Sequence, residues 1–139
     1  MEYECVFCKV ENEPLQSVIL SNEYTMFLQL NDTFEKGAPL EGAGVIVPKA
    51  HRETVFDLSE EEWRSTFDLL KEAKKWIDVH HQPNGYNIGW NAGKTAGQHI
   101  FHAHLHILPR YDDEKYVGKG IRALFKQSDN RTFKEVPYN

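Results

Sequence analysis

Four of the chain's seven histidines lie within eight residues, in Gln98-His99-Ile100-Phe101-His102-Ala103-His104-Leu105-His106-Ile107-Leu108-Pro109-Arg110. From His102 onward, histidine alternates with apolar residues. Neighbouring side chains of an extended strand point to opposite faces. The spacing therefore predicts His102, His104 and His106 in a row on one face, with Ala103, Leu105 and Ile107 on the other. Imidazoles set against an apolar interior need hydrogen bonds or a metal, and near pH 7 a neutral imidazole nitrogen is a competent nucleophile. Clustering and alternation together point to an active-site strand. The plainer alternative is a strand with a wet histidine face.

Cys5 and Cys8 are the only cysteines, too few for a disulfide framework. A Cys-x-x-Cys pair with histidines elsewhere offers the ligand chemistry of tetrahedral zinc, although the distances along the chain are not those of a zinc finger. Two other readings stand beside it. A redox pair usually accompanies a βαβ pattern, which this sequence lacks, and two free cysteines could simply pack.

The elements that must position these groups read as α+β, an antiparallel sheet of about five strands with one main helix and smaller helical pieces. Val18–Leu20 and Tyr24–Leu30 read as strands around a turn at Ser21-Asn22-Glu23, and residues 44–47 as a buried strand stopped by Pro48. Residues 31–42 form a long polar loop, whereas Cys5 to Val10 fits a helical turn or a loop equally well. Ser59 with Glu62 makes a capping box, and three glutamates suit the positive end of the helix dipole. Trp63, Phe67, Leu70 and Ile77 then define an apolar stripe expected to face the core, with Lys74 off-pattern. His80 and His81 read as solvated residues at a frayed helix end. After Asn84-Gly85, residues 86–91 alternate as a half-buried strand. A glycine-rich connection over residues 93–97 leads to the histidine strand, which suggests an antiparallel meander. Ile121 to Lys126 reads as a further helical segment. One domain spans residues 1–139, with a loose tail after about 127.

The formal charge of −5 argues against binding nucleic acid through a basic surface. No apolar run approaches a membrane span, and the N-terminus lacks the pattern of a signal peptide. A cytoplasmic protein is the default expectation.

The run from His102 to Leu108 resembles the motif that names the histidine-triad (HIT) superfamily of nucleotide hydrolases and transferases. Cys5-Val6-Phe7-Cys8-Lys9 resembles the N-terminal segment of many bacterial members, and Val47-Pro48-Lys49-Ala50-His51 their post-strand segment. Asn91 and Gly97-Gln98 resemble the lead-in to the triad, and Pro109-Arg110 the exit seen in the branch related to dinucleoside polyphosphate hydrolases. The resemblance implies a homodimer with a nucleotide over the triad strand, His104 as nucleophile and His106 at the phosphate oxygens. It also implies phosphate contacts from Asn91 and Gln98. In zinc-bearing members the cysteine pair joins two histidines, which here are His51 and His102. Cys5, Cys8, His51 and His102 would thus hold a structural zinc that fastens the N-terminus beside the nucleophile.

The sequence departs from the family pattern in three places. His99 stands where serine or threonine is frequent; regular alternation turns it away from the triad, and a bulge would return it to the phosphate. Ala43 stands where relatives often carry histidine, so another group, such as a backbone carbonyl, must orient His104. The ribose-binding acid or amide falls at Gln29 or Asn31, before a loop that is longer than usual. Among weaker signals, Gly118-Lys119-Gly120 reads as a turn with Lys119 or Arg122 near an anionic ligand. Trp63 and Trp76 read as packing residues, and Trp90 and Phe101 as facing the core or a dimer partner. Arg110 is either an anion clamp or an exposed strand-end residue.

The expectation is a histidine-triad hydrolase working through a covalent nucleotidyl-His104, with dinucleoside polyphosphate as the first substrate. Phosphoramidate hydrolysis and a phosphorylase-type reaction are the alternatives. A catalytically slow nucleotide-binding protein is a rival from another class. A purely structural zinc protein is a further rival, but it leaves His104 and His106 without a task.

Overall fold

Five antiparallel strands and one long helix make up the frame in the computed structural model, which describes residues 5–130. The strands are β1 (Gln16–Ser21), β2 (Thr25–Leu30), β3 (Gly44–Pro48), β4 (Gly85–Trp90) and β5 (Leu105–Arg110). Their spatial order is β1-β2-β3-β5-β4, with every neighbour pair antiparallel. The α+β expectation holds, and the histidine strand pairs antiparallel with the strand before it as expected, but the sheet as a whole is not a simple meander. The helix α1 (Glu60–His81) carries the chain from β3 to the far edge, and β5 returns between them.

Register sorts the residues onto two faces. Phe27, Ile46, Leu105 and Trp90 form one cross-sheet row. Phe27, Ile46 and Leu105 pack with Leu69, Ala73 and Ile77 of α1 in the main core. On the opposite face the row is Leu28, Val45, His106 and Gly89. There the N-terminal segment seats Cys5 and Phe7 on Leu28 and Val47 in a second apolar cluster. The strands β2 and β3 come unusually close at Gly44. A Cβ there would lie 2.5 Å from the Leu28 carbonyl oxygen and 2.6 Å from the Phe27 ring, so only glycine fits.

The tight β1–β2 turn depends on Asn22, whose Oδ1 accepts from the Tyr24 and Thr25 amides and the Thr25 hydroxyl. The capping box at Ser59 and Glu62 is present as expected. The stripe below it reaches the core at Leu70 and Ile77 as expected, but its first two turns are shifted. The core-facing positions are Glu62, Thr66, Leu69, Ala73 and Ile77, whereas Trp63 and Phe67 are exposed. Glu62 tolerates burial because the Ser59 amide and the Arg52 guanidinium both donate to it.

The helix end is also not frayed. His81 is buried and donates from Nδ1 to Glu41 Oε2 at 2.8 Å, while the exposed His80 stacks on Trp76. Ile121–Lys126 is a 3-10 helix, in line with the expected helical segment. The expected loose tail falls largely at residues 131–139, outside the described residues. No helix among the described residues is long and apolar enough to cross a membrane.

Candidate active site and metal cluster

The strand of the histidine motif starts only at Leu105, yet the three imidazoles stay side by side. The Phe7 ring lies 5.7 Å from His102 and 5.2 Å from His104, and the His104 ring 4.8 Å from His106, while Leu105 and Ile107 enter the main core. His106 lies in β5, while His102 and His104 belong to the irregular segment before it. That segment is pinned to the stretch after β3. The Ala103 amide donates to the Arg52 carbonyl, and His102 Nε2 donates to the Pro48 carbonyl at 2.8 Å. A carbonyl can only accept, so His102 Nδ1 is left as a bare lone-pair nitrogen.

That nitrogen lies 3.2 Å from His51 Nδ1, 3.4 Å from Cys5 Sγ and 3.5 Å from Cys8 Sγ, and Cys8 Sγ lies 3.1 Å from His51 Nδ1. All four ligand atoms fall within 4.8 Å of one another. A tetrahedral ion with bonds of about 2.0 Å to nitrogen and 2.3 Å to sulfur sets its ligands roughly 3.3–3.8 Å apart. Cys5, Cys8, His51 and His102 therefore form a possible metal site. The Pro48 carbonyl supplies the outer hydrogen bond that fixes a ligating imidazole.

His104 is oriented the other way. Its Nδ1–H donates to the His102 carbonyl at 2.8 Å, which leaves Nε2 unprotonated. A backbone carbonyl thus stands where the alanine at position 43 leaves no imidazole. Burial lowers the His104 pKa from its ordinary value, against a smaller opposing pull from that carbonyl. His106 is lowered by burial and by repulsion from His104, whose ring centroid is 4.8 Å away. Both imidazoles are thereby kept neutral near pH 7.

The pair opens onto a cleft of about 440 Å³ walled by apolar side chains, among them Leu28, Leu40, Val45 and Leu108. Phe7 closes one side with its ring 5.2 Å from His104. The contribution of Phe7 escaped the sequence reading, in which the flanking cysteines drew the weight. The only available signal was an aromatic between two ligand candidates. Among the described residues, Glu13 is the sole acid or base on this wall apart from the two histidines.

The remaining expected contacts divide. Gln29 lines the cleft and donates to the Gly42 carbonyl. Asn91 sits with His106 in a shallower adjoining cleft. Gln98 is fully buried, with Oε1 accepting from the Gly93 amide and Nε2 donating to the Glu53 and Ile100 carbonyls. Both amide hydrogens are committed, so in this arrangement Gln98 braces the loop and has no donor left for a phosphate. Asn31 is tied to Ser17 and Pro14 outside the cleft, and His99 is exposed outside both clefts. Arg110 is no free clamp. It donates to Glu114, Asn87 and the Tyr116 and Lys119 carbonyls.

An antiparallel sheet with a neutral imidazole pair over an apolar cleft, backed by a Cys₂His₂ cluster, fits the histidine-triad class. The chain belongs to the HIT-domain family, whose model matches residues 14–113. Protein hit of Bacillus subtilis is 30% identical over 124 residues, covering 88% of this chain and 79% of that protein. An adenosine 5'-monophosphoramidase of Schizosaccharomyces pombe is 32% identical over 117 residues, covering 84% and 81%. The crystal structure of a HIT family protein from Bacillus anthracis is similar at a TM-score of 0.68 and 29% identity, over 81% of this chain and 77% of that one.

Proposed function

We propose that the chain hydrolyses nucleotides at the α-phosphate through a covalent nucleotidyl-His104. The observation that carries this reading is the His104 tautomer: Nδ1–H is held by the His102 carbonyl, and the neutral Nε2 belongs to a ring that lines the cleft. Nε2 attacks phosphorus, forming the P–N bond as the bond from phosphorus to the leaving group breaks. The leaving group departs with the electron pair and takes up a proton by way of His106. Water then cleaves the P–N bond, releasing the nucleoside monophosphate and restoring the imidazole. Dividing one displacement into two lowers each barrier.

The first substrate class is a dinucleoside polyphosphate. An adenosine phosphoramidate is the second reading, favoured by the named activity of the S. pombe relative. Zinc is the ion that suits the Cys₂His₂ donor set, and its role is to fasten the N-terminal segment to the residues flanking His104. It takes no part in the displacement. A homodimer joined through β4 completes the reading. That strand is a sheet edge with an apolar patch of Trp63, Phe67 and Ile88 beside it.

The test is turnover of diadenosine tetraphosphate and of adenosine phosphoramidate, with quenched protein examined by mass spectrometry for an added nucleotidyl group. His104→Ala is expected to lose on the order of 10⁴-fold or more in kcat with fold and metal content retained. A variant as active as the parent overturns the mechanism.

A further inference from the structure

The cleft at the imidazole pair is one of three depressions that share walls. His106 and Leu108 separate it from the shallower cleft over β4. Asn87 and Ile121 in turn separate that cleft from a bay of about 610 Å³. Register sets the spacing along this track. Gly89 pairs with His106 and Asn87 with Leu108, so Asn87 lies two residues farther along the sheet, about 7 Å from the His106 row.

The bay differs in character from the cleft. Its charged lining among the described residues is Lys119, Arg122 and Lys126, with no acid among them. None of the three takes part in an ion pair among the described residues. This is a cationic hollow on a chain whose net charge is −5. Its wall is tied to the triad strand, because Arg110 at the end of β5 donates to the Tyr116 and Lys119 carbonyls and to Glu114. Arg110 also donates to Asn87 Oδ1, leaving the Asn87 Nδ2 hydrogens to face Gly120 at the bay's rim.

We propose that this bay is the subsite for the phosphate chain of the leaving group, which makes the substrate one whose leaving group is a polyanion. The inference rests on the nucleotidyl-transfer reading above and specifies its substrate class. When His104 Nε2 bonds to the α-phosphorus, the broken P–O bond leaves its electron pair on the departing nucleoside polyphosphate. Lys119, Arg122 and Lys126 offset the charge of that chain, and cations held where charge develops act on the transition state as well as on binding. A leaving amine carries no such charge and is too short to span from His106 to the bay.

The test replaces all three cations, as Lys119→Gln, Arg122→Gln and Lys126→Gln together. All are exposed, so the fold is expected to survive, with circular dichroism as the check. The readout is the ratio of kcat/KM for diadenosine tetraphosphate to that for adenosine phosphoramidate. It is expected to fall at least tenfold in the triple variant, and in the parent to fall as salt rises. An unchanged ratio overturns the proposal.

Binding of inorganic tripolyphosphate by calorimetry is the second arm. The parent is expected to bind it in a salt-sensitive way and the triple variant at least tenfold more weakly; absence of binding by the parent overturns the bay as an anion site. Should the parent bind tripolyphosphate, lose that binding in the variant and cleave neither nucleotide, the hydrolase reading fails while the bay stands as a phosphate-chain site.

Discussion

Two carbonyl oxygens set the chemistry of the histidine segment. The Pro48 carbonyl takes the Nε2 proton of His102 and the His102 carbonyl takes the Nδ1 proton of His104, so neighbouring imidazoles present opposite nitrogens. One bare nitrogen faces two thiols, and the other belongs to the ring on the cleft. This division of labour makes the metal cluster testable apart from catalysis. Metal analysis of the purified chain is expected to find about one zinc per chain, and Cys8→Ser to lower that occupancy and loosen the N-terminal segment, read as faster amide exchange at residues 5–10. A chain that is zinc-free yet equally protected there removes the cluster as a metal site. The residue types and the Cys-x-x-Cys spacing were legible in the sequence, and the resemblance supplied the two histidine partners. The alternation also separated Leu105 and Ile107, which enter the core, from the three neighbouring imidazoles. Which nitrogen each ring presents was not legible, because it is set by the Pro48 and His102 carbonyls, and the bonds from Pro48 and Arg52 hold residues 102 and 103 out of the regular ladder. His81 was misjudged for a related reason: its partner Glu41 lies 40 residues away, so no local pattern announces that it is buried.

At the scale of elements, α1 braces the site through its first turn. Arg52 joins the buried Glu62 by its side chain and Ala103 by its carbonyl, which links the helix start to the segment bearing His104. Burial would raise the Glu62 carboxyl, but the Ser59 amide and the Arg52 guanidinium outweigh it and hold the pKa below the usual glutamate value. A depressed carboxylate contributes stability above its unfolded pKa of about 4.3, and that contribution fades as pH falls through the folded value. Glu62→Gln is therefore expected to cost about 1.5–3 kcal/mol at pH 7 and progressively less as the pH drops below about 4. Urea unfolding of both proteins across that range measures it, and a pH-independent difference would remove the argument. The cap was legible because Ser59 and Glu62 stand three apart before an apolar run. In its first two turns the burial stripe was displaced by one residue, about 100° around the helix, because the aromatic Trp63 and Phe67 outweigh the polar Glu62 and Thr66 in any hydropathy pattern, whereas Leu70 and Ile77 meet the core as expected. The Ser59 amide and the Arg52 guanidinium together explain why a glutamate takes the core-facing place, and of the two only Arg52 lies outside the local capping pattern.

At the scale of the whole molecule, that displaced stripe gives α1 a second apolar face which the core of one chain does not use. Trp63 is 47% exposed, Phe67 59% and Ile88 38%, and Trp63 meets Trp90 edge-on at 5.8 Å, so the patch runs from the helix onto β4. β4 is also an edge with no further strand beside it among the described residues, since the sheet order ends there. An unpaired edge flanked by exposed aromatics calls for cover, and a two-fold axis beside β4 would lay the same patch on its copy while the two edges pair antiparallel. Neither the sheet order nor this edge was legible in the sequence, because placing β5 inside β4 requires long-range pairings that periodicity does not encode. Burying a phenylalanine side chain stabilises by roughly 1.5–3 kcal/mol, and a two-fold interface counts it twice. Phe67→Glu is thus expected to weaken association by about 3–6 kcal/mol, on the order of 10²- to 10⁴-fold in Kd. Light scattering at micromolar concentration should find about twice the chain mass for the parent and one chain mass for the variant, with the circular dichroism spectrum unchanged because Phe67 is outside the core. A parent that runs at one chain mass, or a variant that stays dimeric, removes β4 and this helix face as the interface.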